Sequence, residues 1–138
     1  MHNYSQLFYH FIWSTKNREF LITQEVEDIL LHYIPIKIEK MSGIYYRAGM
    51  AKNHIHLIAT VPPSISLSSF VQEIKGGSAH LINKSILNGY FNWQGGYGVI
   101  SFNKKLLPSI KNYVANQKQH HQNDNLINVL EKTSDESG

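Results

Sequence analysis

The sequence predicts an α+β fold in which one antiparallel sheet of four strands carries helices. Three observations lead to this class. Segments with strand and helix periodicity follow each other in the order strand, helix, strand, strand, helix, strand, helix. The second and third strands are separated only by the short polar turn 51–53, which favours an antiparallel hairpin. A chain of 138 residues suits one domain, so these elements should share one fold.

The first strand and the first helix are predicted from the N-terminal third. Residues 4–15 are rich in Phe, Tyr, Ile and Trp and predict a long strand. Thr23 is a suitable N-cap, and apolar residues at helical spacing after it predict a helix that runs to about Met41. Pro35 lies inside this helix and is predicted to kink or interrupt it.

A hairpin and a second helix follow. Residues 44–50 and 54–61 predict two strands, and two prolines end the second. Serines at 64, 66, 68 and 69 offer N-caps to a helix with apolar residues at helical spacing from Leu67 to Ile82. Gly76 and Gly77 fall inside this helix, where each costs roughly 1 kcal/mol of helix stability, so a close backbone approach is expected there.

Residues 97–102 predict the fourth strand, and residues 106 to about 120 predict a third helix with Pro108 in its first turn. This order is that of a ferredoxin-like, or RRM-like, plan with two helices on one face of the sheet and an additional C-terminal helix. The open face needs a cover, which the third helix or a nucleic acid strand would supply. Residues 1–132 are predicted to form a single domain, and residues 133–138 a frayed tail.

Composition limits the possible locations and cofactors. No apolar stretch approaches the roughly 20 residues of a membrane span, so membrane insertion is not expected. The chain has no cysteine, which excludes disulfides and thiolate metal sites, and its beginning lacks the pattern of a signal peptide. A cytoplasmic protein is therefore expected.

Charge is distributed unevenly. The formal net charge is only +3, yet residues 41–120 contain eight basic residues and a single acid, Glu73. The same region contains many aromatic residues. Cations interspersed with aromatic rings suit a polyanion whose bases can stack, which indicates nucleic acid and single strands above all. The alternative is a solvated face on a mildly basic protein.

His54 and His56 are the first candidate site residues. Side chains at i and i+2 of a strand leave the same face, roughly 6.5 to 7 Å apart at the backbone, so both imidazoles can converge on one metal ion. The alternative is that both histidines are hydrogen-bonded to neighbours on the polar face of a strand.

The third helix offers partners for these histidines. Tyr113 and Gln117 are four residues apart and should share one helix face. An amide oxygen would complete a set of two nitrogen ligands and one oxygen, and the tyrosine hydroxyl would face a bound phosphate. The alternatives are a core tyrosine and a solvated glutamine. His120 and His121 are rival third ligands, and all-nitrogen coordination would suggest a zinc hydrolase.

Four segments taken together resemble the single-tyrosine HUH transposases of the insertion sequence 200/605 group. The similar segments, in order, are YHFIWSTKNREFLI (9–22), NHIHLIATVPPSISLSSFVQEIKGGSAHLINKS (53–85), FNWQGGYGVISF (91–102) and IKNYVANQKQHH (110–121). They match that family's opening strand and turn, its histidine strand with the helix that follows, its tryptophan and Gly-Tyr strand, and its tyrosine helix. Four motifs in the right order are far more specific than any single one.

The resemblance implies roles for individual residues. His54, His56 and Gln117 would bind Mg²⁺ or Mn²⁺, and Tyr113 would be the catalytic nucleophile on the C-terminal helix. The activity would be cleavage and rejoining of single-stranded DNA at insertion-sequence ends through a covalent 5′-phosphotyrosine. The partners would be single-stranded DNA with hairpin ends and a second subunit, in a homodimer whose tyrosine helices are exchanged. The candidate DNA-binding residues are Lys52, Lys75, Lys104, Lys105, Lys111 and Lys118.

Two alternatives to a mobile-element enzyme stay open on the sequence. One is a domesticated repeat-associated HUH nickase, which would share the chemistry, and the other is a non-catalytic RRM-like module that binds nucleic acid. Two residues depart from the family pattern. Gly95 stands where relatives commonly carry a basic residue between the tryptophan and the Gly-Tyr pair, which removes one expected phosphate contact. Asn53 stands where the family often has an acid before the first histidine, and if that acid orients the imidazole or adds charge, metal affinity here is expected to be weaker.

Overall fold

The computed structural model describes residues 7–86 and 89–116 of the 138-residue chain. Short 3-10 turns lie at Lys16–Arg18 and Lys104–Leu106. The strands and α-helices of this part are β1 (Phe8–Ser14), α1 (Gln24–Lys40), β2 (Ile44–Met50), β3 (His54–Thr60), α2 (Leu67–Ser85), β4 (Gly98–Phe102) and α3 (Leu107–Ala115). Their order is the one that the sequence predicts.

The four strands form one antiparallel sheet in the order β2-β3-β1-β4. β1 and β3 are therefore central, and both are almost entirely buried. In the register between them, Ile12 pairs with His56 and Ser14 pairs with His54. The α+β class and the four-stranded antiparallel sheet that the sequence predicts are confirmed.

Apolar side chains form separate clusters on the two faces of the sheet. α1 and α2 pack on one face, where Phe11, Trp13 and Leu57 join helix residues in the largest cluster. α3 packs on the opposite face, where Val114 joins Phe8, Ile58 and Phe102. The larger cluster includes Leu30, Ile34 and Ile38 of α1 and Phe70, Ile74 and Ile82 of α2.

The predicted caps of α1 and α2 are present. The Thr23 hydroxyl accepts a hydrogen bond from the backbone N–H of Val26, and the Ser66 hydroxyl accepts one from that of Ser69. The interruption predicted at Pro35 does not occur, because α1 continues through it from Gln24 to Lys40. The neighbouring turns are anchored by the fully buried Ile34 and Ile38, whose packing outweighs the missing backbone donor.

The close approach predicted at the double glycine of α2 occurs at Gly77 alone. A Cβ atom on Gly77 would overlap the hydroxyl group of Tyr33 on α1, whereas a Cβ atom on Gly76 would meet open space. The missing side chain at Gly77 therefore makes room for the Tyr33 hydroxyl, and a side chain there would displace the Tyr33 ring or move the two helices apart.

Several element ends differ from the prediction by a few residues. β1 begins at Phe8, β3 ends at Thr60 and β4 begins at Gly98. α3 ends at Ala115 with Asn116 as its C-cap, whereas the prediction carried it to about residue 120. Residues 117–138, which include the predicted tail 133–138, lie outside the described residues. Within the described parts of the chain, no helix is both long and apolar enough to cross a membrane.

Candidate active site

His54 and His56 lie on the face of the sheet that is covered by α3. Ile55 and Leu57 alternate with them and join the cluster on the opposite face, as expected for a strand. The two imidazole rings have their centroids 5.2 Å apart, and both histidines are fully buried. The two imidazoles therefore lie on the same face of β3, as the sequence predicts.

The imidazole of His54 is oriented by its neighbour Asn53. The Nδ1 atom of His54 lies 2.8 Å from the Oδ1 atom of Asn53, and the Nδ2 group of Asn53 donates to the backbone carbonyl of Arg18 at 3.4 Å. An amide oxygen accepts, so with this orientation Nδ1 of His54 carries the proton and Nε2 carries the lone pair that a metal ligand needs. The side chain at position 53 thus orients the imidazole although it is not an acid.

His56 is held in a comparable way by His10, a residue that the sequence analysis did not select. The Nε2 atom of His10 lies 2.9 Å from the Nδ1 atom of His56, and the ring centroids are 5.1 Å apart. His10 is on β1, where it shares the α3-facing side with Ile12, and it is 2% exposed. Recognising this pair requires the register between β1 and β3, which one sequence does not provide.

Tyr113 on α3 lies beside these histidines in the same chain. Its ring centroid is 5.9 Å from that of His56, with the ring planes at 73°. The ring packs against Ile12, and its hydroxyl oxygen is shielded from solvent. The structure therefore brings together three of the four residues to which the resemblance assigns catalytic or metal-binding roles.

Gly49 on β2 determines how α3 sits on the sheet. It pairs directly with His56 in the register between β2 and β3. A Cβ atom at position 49 would overlap the backbone carbonyl oxygen of Val114, so the helix backbone rests on the strand where a side chain is missing. Tyr113 precedes Val114, and the glycine therefore helps to define the depth at which the tyrosine sits.

The predicted metal ligands are described only in part. Gln117 lies outside the described residues, as do the rival ligands His120 and His121. Among residues 7–86 and 89–116, no group of three or more His, Cys, Asp or Glu side chains is arranged to hold a metal ion. The two imidazoles fit a pair of ligands, because each uses Nδ1 for a neighbouring side chain and directs its coordination chemistry to Nε2.

The predicted DNA-binding lysines fall into distinct settings. Lys52, Lys104 and Lys105 are exposed, and the ammonium group of Lys52 lies 5.9 Å from the ring centroid of Phe20. Lys111 is half-buried and, together with Arg47, lines a cavity of about 370 Å³ between β2 and α3. Lys118 lies outside the described residues.

Lys75 is placed differently, and its position contradicts the prediction that it contacts DNA phosphates. It is 6% exposed, and its ammonium group donates to the backbone carbonyls of Gln94 at 2.7 Å and Gly96 at 3.0 Å. Burial lowers the pKa of the Lys75 ammonium. Lys75 therefore ties α2 to the segment that leads into β4. The signal was present in the sequence, because Lys75 shares helical spacing with the buried Val71 and Ser78.

Comparisons with known proteins agree with this geometry. Residues 3–117 match the protein family described as "Transposase IS200 like". The ISDra2 transposase TnpA of Deinococcus radiodurans is 27% identical over 119 residues, which cover 81% of this chain and 84% of the relative.

Two solved structures share the fold. A structure assigned as a transposase from Deinococcus radiodurans R1 superposes with a TM-score of 0.67 at 23% identity, over 85% of this chain and 95% of that one. A REP-associated tyrosine transposase bound to a REP hairpin superposes with a TM-score of 0.63 at 22% identity, over 88% of this chain and 75% of that one. The family match spans most of the chain and confirms the resemblance seen in the sequence: the protein belongs to the IS200-like transposase family.

Proposed function

We propose that this transposase cleaves and rejoins single-stranded DNA at the ends of its insertion sequence, with Tyr113 as the nucleophile. The observation that carries the proposal is the position of the Tyr113 ring, 5.9 Å from the ring of His56, which is itself paired with His54. A phenol beside two oriented imidazoles is the combination that phosphoryl transfer to a tyrosine needs.

The reaction is an exchange of one phosphodiester for another. The hydroxyl of Tyr113, which is shielded in the described chain, must first become accessible. It then loses its proton to solvent, its oxygen forms a bond to the phosphorus atom, and the bond from phosphorus to the 3′ oxygen breaks. The departing 3′ oxygen takes up a proton, which leaves a 5′-phosphotyrosine and a free 3′ hydroxyl. The number of phosphodiester bonds does not change, so the same step run backwards rejoins strands without ATP.

A tyrosine needs help for this attack. Its pKa is ordinarily about 10, so at neutral pH the hydroxyl is a weak nucleophile. A Mg²⁺ or Mn²⁺ ion, when bound, supplies the Lewis acid that neutralises charge on the phosphate oxygens. His54 and His56 would hold it through Nε2, and Gln117 is proposed as the third ligand. A catalytic ion with few protein ligands keeps positions for substrate oxygens.

Single-stranded DNA is proposed as the substrate because of the surface around the site. Exposed or half-buried cations lie on β2, on the turn before β3 and at the start of α3: Arg47, Lys52, Lys104, Lys105 and Lys111. Phosphate contacts by such residues position a strand without reading its sequence. One fold relative is described as bound to a REP hairpin, which supports the proposal that hairpin ends are bound here too.

A homodimer with exchanged tyrosine helices is also proposed. In the described chain, α3 lies on its own sheet and is held by a cluster distinct from that under α1 and α2. The α3 helix of a second subunit could pack over Gly49 at the same position and make the same contacts. In the described chain the Tyr113 hydroxyl is shielded from solvent, so we propose that a movement exposing it precedes the access of a phosphate.

The proposal is tested by looking for the covalent protein–DNA intermediate. Single-stranded DNA from the ends of the element, incubated with the protein and Mg²⁺ or Mn²⁺, is expected to give a protein–DNA species that survives SDS. Tyr113→Phe should abolish this species, whereas Tyr46→Phe, a tyrosine packed in the cluster beneath α3, should retain it. An adduct formed by Tyr113→Phe as well as by the parent protein contradicts the mechanism, and equal DNA binding in EDTA without any adduct indicates a binding module.

A further inference from the structure

We propose that His10 is a positioning residue of the metal site, which fixes the tautomer of His56 by accepting the proton of its Nδ1 atom. This inference rests on the proposed function, because it concerns how His56 becomes a metal ligand. The observation behind it is the distance of 2.9 Å between Nε2 of His10 and Nδ1 of His56.

The hydrogen bond between His10 and His56 can run in two directions, and only one of them allows His56 to bind a metal ion. If Nε2 of His10 donates, Nδ1 of His56 accepts, and a neutral His56 must then carry its proton on Nε2, where it blocks coordination. If Nδ1 of His56 donates, Nε2 of His56 keeps the lone pair that a metal requires. His10 must then accept through Nε2 and carry its own proton on Nδ1.

The surroundings of His10 hold it in place for this role. It lies on the central strand β1, between Ile58 of β3 and Ile100 of β4, and it is 2% exposed. A side chain on a rigid central strand loses little further freedom when it orients a ligand, which is what a preorganised site needs. His10 thus contacts Nδ1 of His56 as Asn53 contacts Nδ1 of His54. Each proposed ligand has its own neighbouring acceptor.

The two positioning residues differ in chemistry. The amide oxygen of Asn53 can only accept from His54, and this fixes the tautomer by itself. An imidazole can accept or donate through the same nitrogen atom, so the His10–His56 pair has two states that exchange by moving one proton on each ring. We expect the state in which His10 accepts to predominate already in the metal-free protein, and an ion bound at Nε2 of His56 would favour that same state.

The first test needs no metal and no DNA. Nitrogen-15 chemical shifts of the His56 ring, measured by NMR in the metal-free protein at about pH 8 where histidines of ordinary pKa are neutral, report which nitrogen carries the proton. We expect the proton on Nδ1 of His56. A proton found predominantly on Nε2 of His56 in the parent protein overturns the proposal.

The second test compares two substitutions of His10 by the affinity of the protein for Mn²⁺. His10→Phe keeps a planar ring but removes the acceptor, and it should weaken Mn²⁺ binding about 10- to 100-fold, the usual effect of losing such a partner. His10→Gln retains an acceptor oxygen and should stay within a few-fold of the parent protein. Equal affinity of His10→Phe and the parent protein contradicts the role of His10.

Two controls separate this proposal from its alternatives. Thermal unfolding of the metal-free variants shows whether His10→Phe merely damages the fold, and if it does, the tautomer in the parent protein decides the question. Tyr113→Phe should bind Mn²⁺ like the parent protein and yet form no adduct. Loss of the adduct with normal Mn²⁺ binding and a normal His56 tautomer therefore concerns the proposed function and not His10.

Discussion

Gly49 of β2 and the carbonyl oxygen of Val114 of α3 lie so close together that a Cβ atom at position 49 would overlap that oxygen. Gly49 also pairs with His56 across the sheet. The position where α3 contacts β2 and the proposed metal ligand His56 are thus neighbours on adjacent strands. A change at position 49 is therefore expected to alter the distance between the phenol and the imidazoles without touching either.

Gly49→Ala is expected to impair cleavage strongly. The added methyl group must push α3 away from the sheet, because the atom it meets belongs to the backbone and cannot rotate aside. Overpacking of this kind costs about 1 to 3 kcal/mol of unfolding free energy. The measurement is the yield of covalent adduct with single-stranded DNA, alongside urea unfolding. Gly76→Ala is the matched control, since its methyl group would meet open space, and an unchanged adduct yield in Gly49→Ala contradicts this position of α3 on the sheet.

Gly77→Ala and Gly76→Ala should have opposite effects on stability. The first forces a methyl group against the Tyr33 hydroxyl and is expected to cost about 1 to 3 kcal/mol. The second removes a helix glycine at an open position and should gain up to about 1 kcal/mol. Urea unfolding of both variants measures this difference. Tyr33→Phe should recover part of the loss in Gly77→Ala, and the absence of any recovery would mean that the hydroxyl is not the obstacle.

Substitutions of Asn53 test whether a neutral side chain suffices to orient His54. Asn53→Ala removes the acceptor for Nδ1 of His54 and should weaken Mn²⁺ binding about 10-fold or more. Asn53→Asp keeps an acceptor and adds negative charge, so its Mn²⁺ affinity should equal or exceed that of the parent protein. Calorimetric titration with Mn²⁺ measures both. If Asn53→Ala binds Mn²⁺ as tightly as the parent protein, the hydrogen bond does not contribute to the site.

Lys75→Met should destabilise the protein by about 1 to 3 kcal/mol, because the carbonyls of Gln94 and Gly96 lose their buried donor. The pH dependence has a defined sign. Burial lowers the pKa of Lys75 in the folded protein below its ordinary value of 10.5, so between these two values the unfolded chain binds more protons. The stability of the parent protein relative to Lys75→Met should therefore increase as pH rises through that interval, as unfolding at a series of pH values can show. If this difference in stability stays constant or falls as the pH rises, Lys75 is not buried in its charged form.

The sequence was sufficient for those parts of the fold that depend on local periodicity. The bounds of β2, the caps at Thr23 and Ser66, and the common face of His54 and His56 all follow from the spacing of neighbouring residues. These features were predictable because side chains alternate between the two faces of a strand and recur on one face of a helix every three to four residues, independently of the rest of the chain.

The features that were missed depend on long-range contacts. His10 meets His56 only because β1 and β3 pair in a particular register, and Gly49 matters only because α3 crosses β2 there. Lys75 was misassigned for a different reason. In a basic region one lysine resembles another, and its position on the buried stripe of α2 was outweighed by its charge. Pro35 was expected to kink or interrupt its helix, and the interruption does not occur because tertiary packing holds α1 together.

The apolar side chains on the two faces of the sheet form separate clusters, and this separation has a consequence for how α3 can move. The cluster between the sheet and its first two helices includes no residue of α3, whereas the smaller clusters on the other face hold Tyr113 and Val114. Detaching α3 should thus leave the core between the sheet and its first two helices folded. In the proposed mechanism, α3 would then be able to move away from the sheet with Tyr113 and return, while β1 and β3 keep the imidazoles in place.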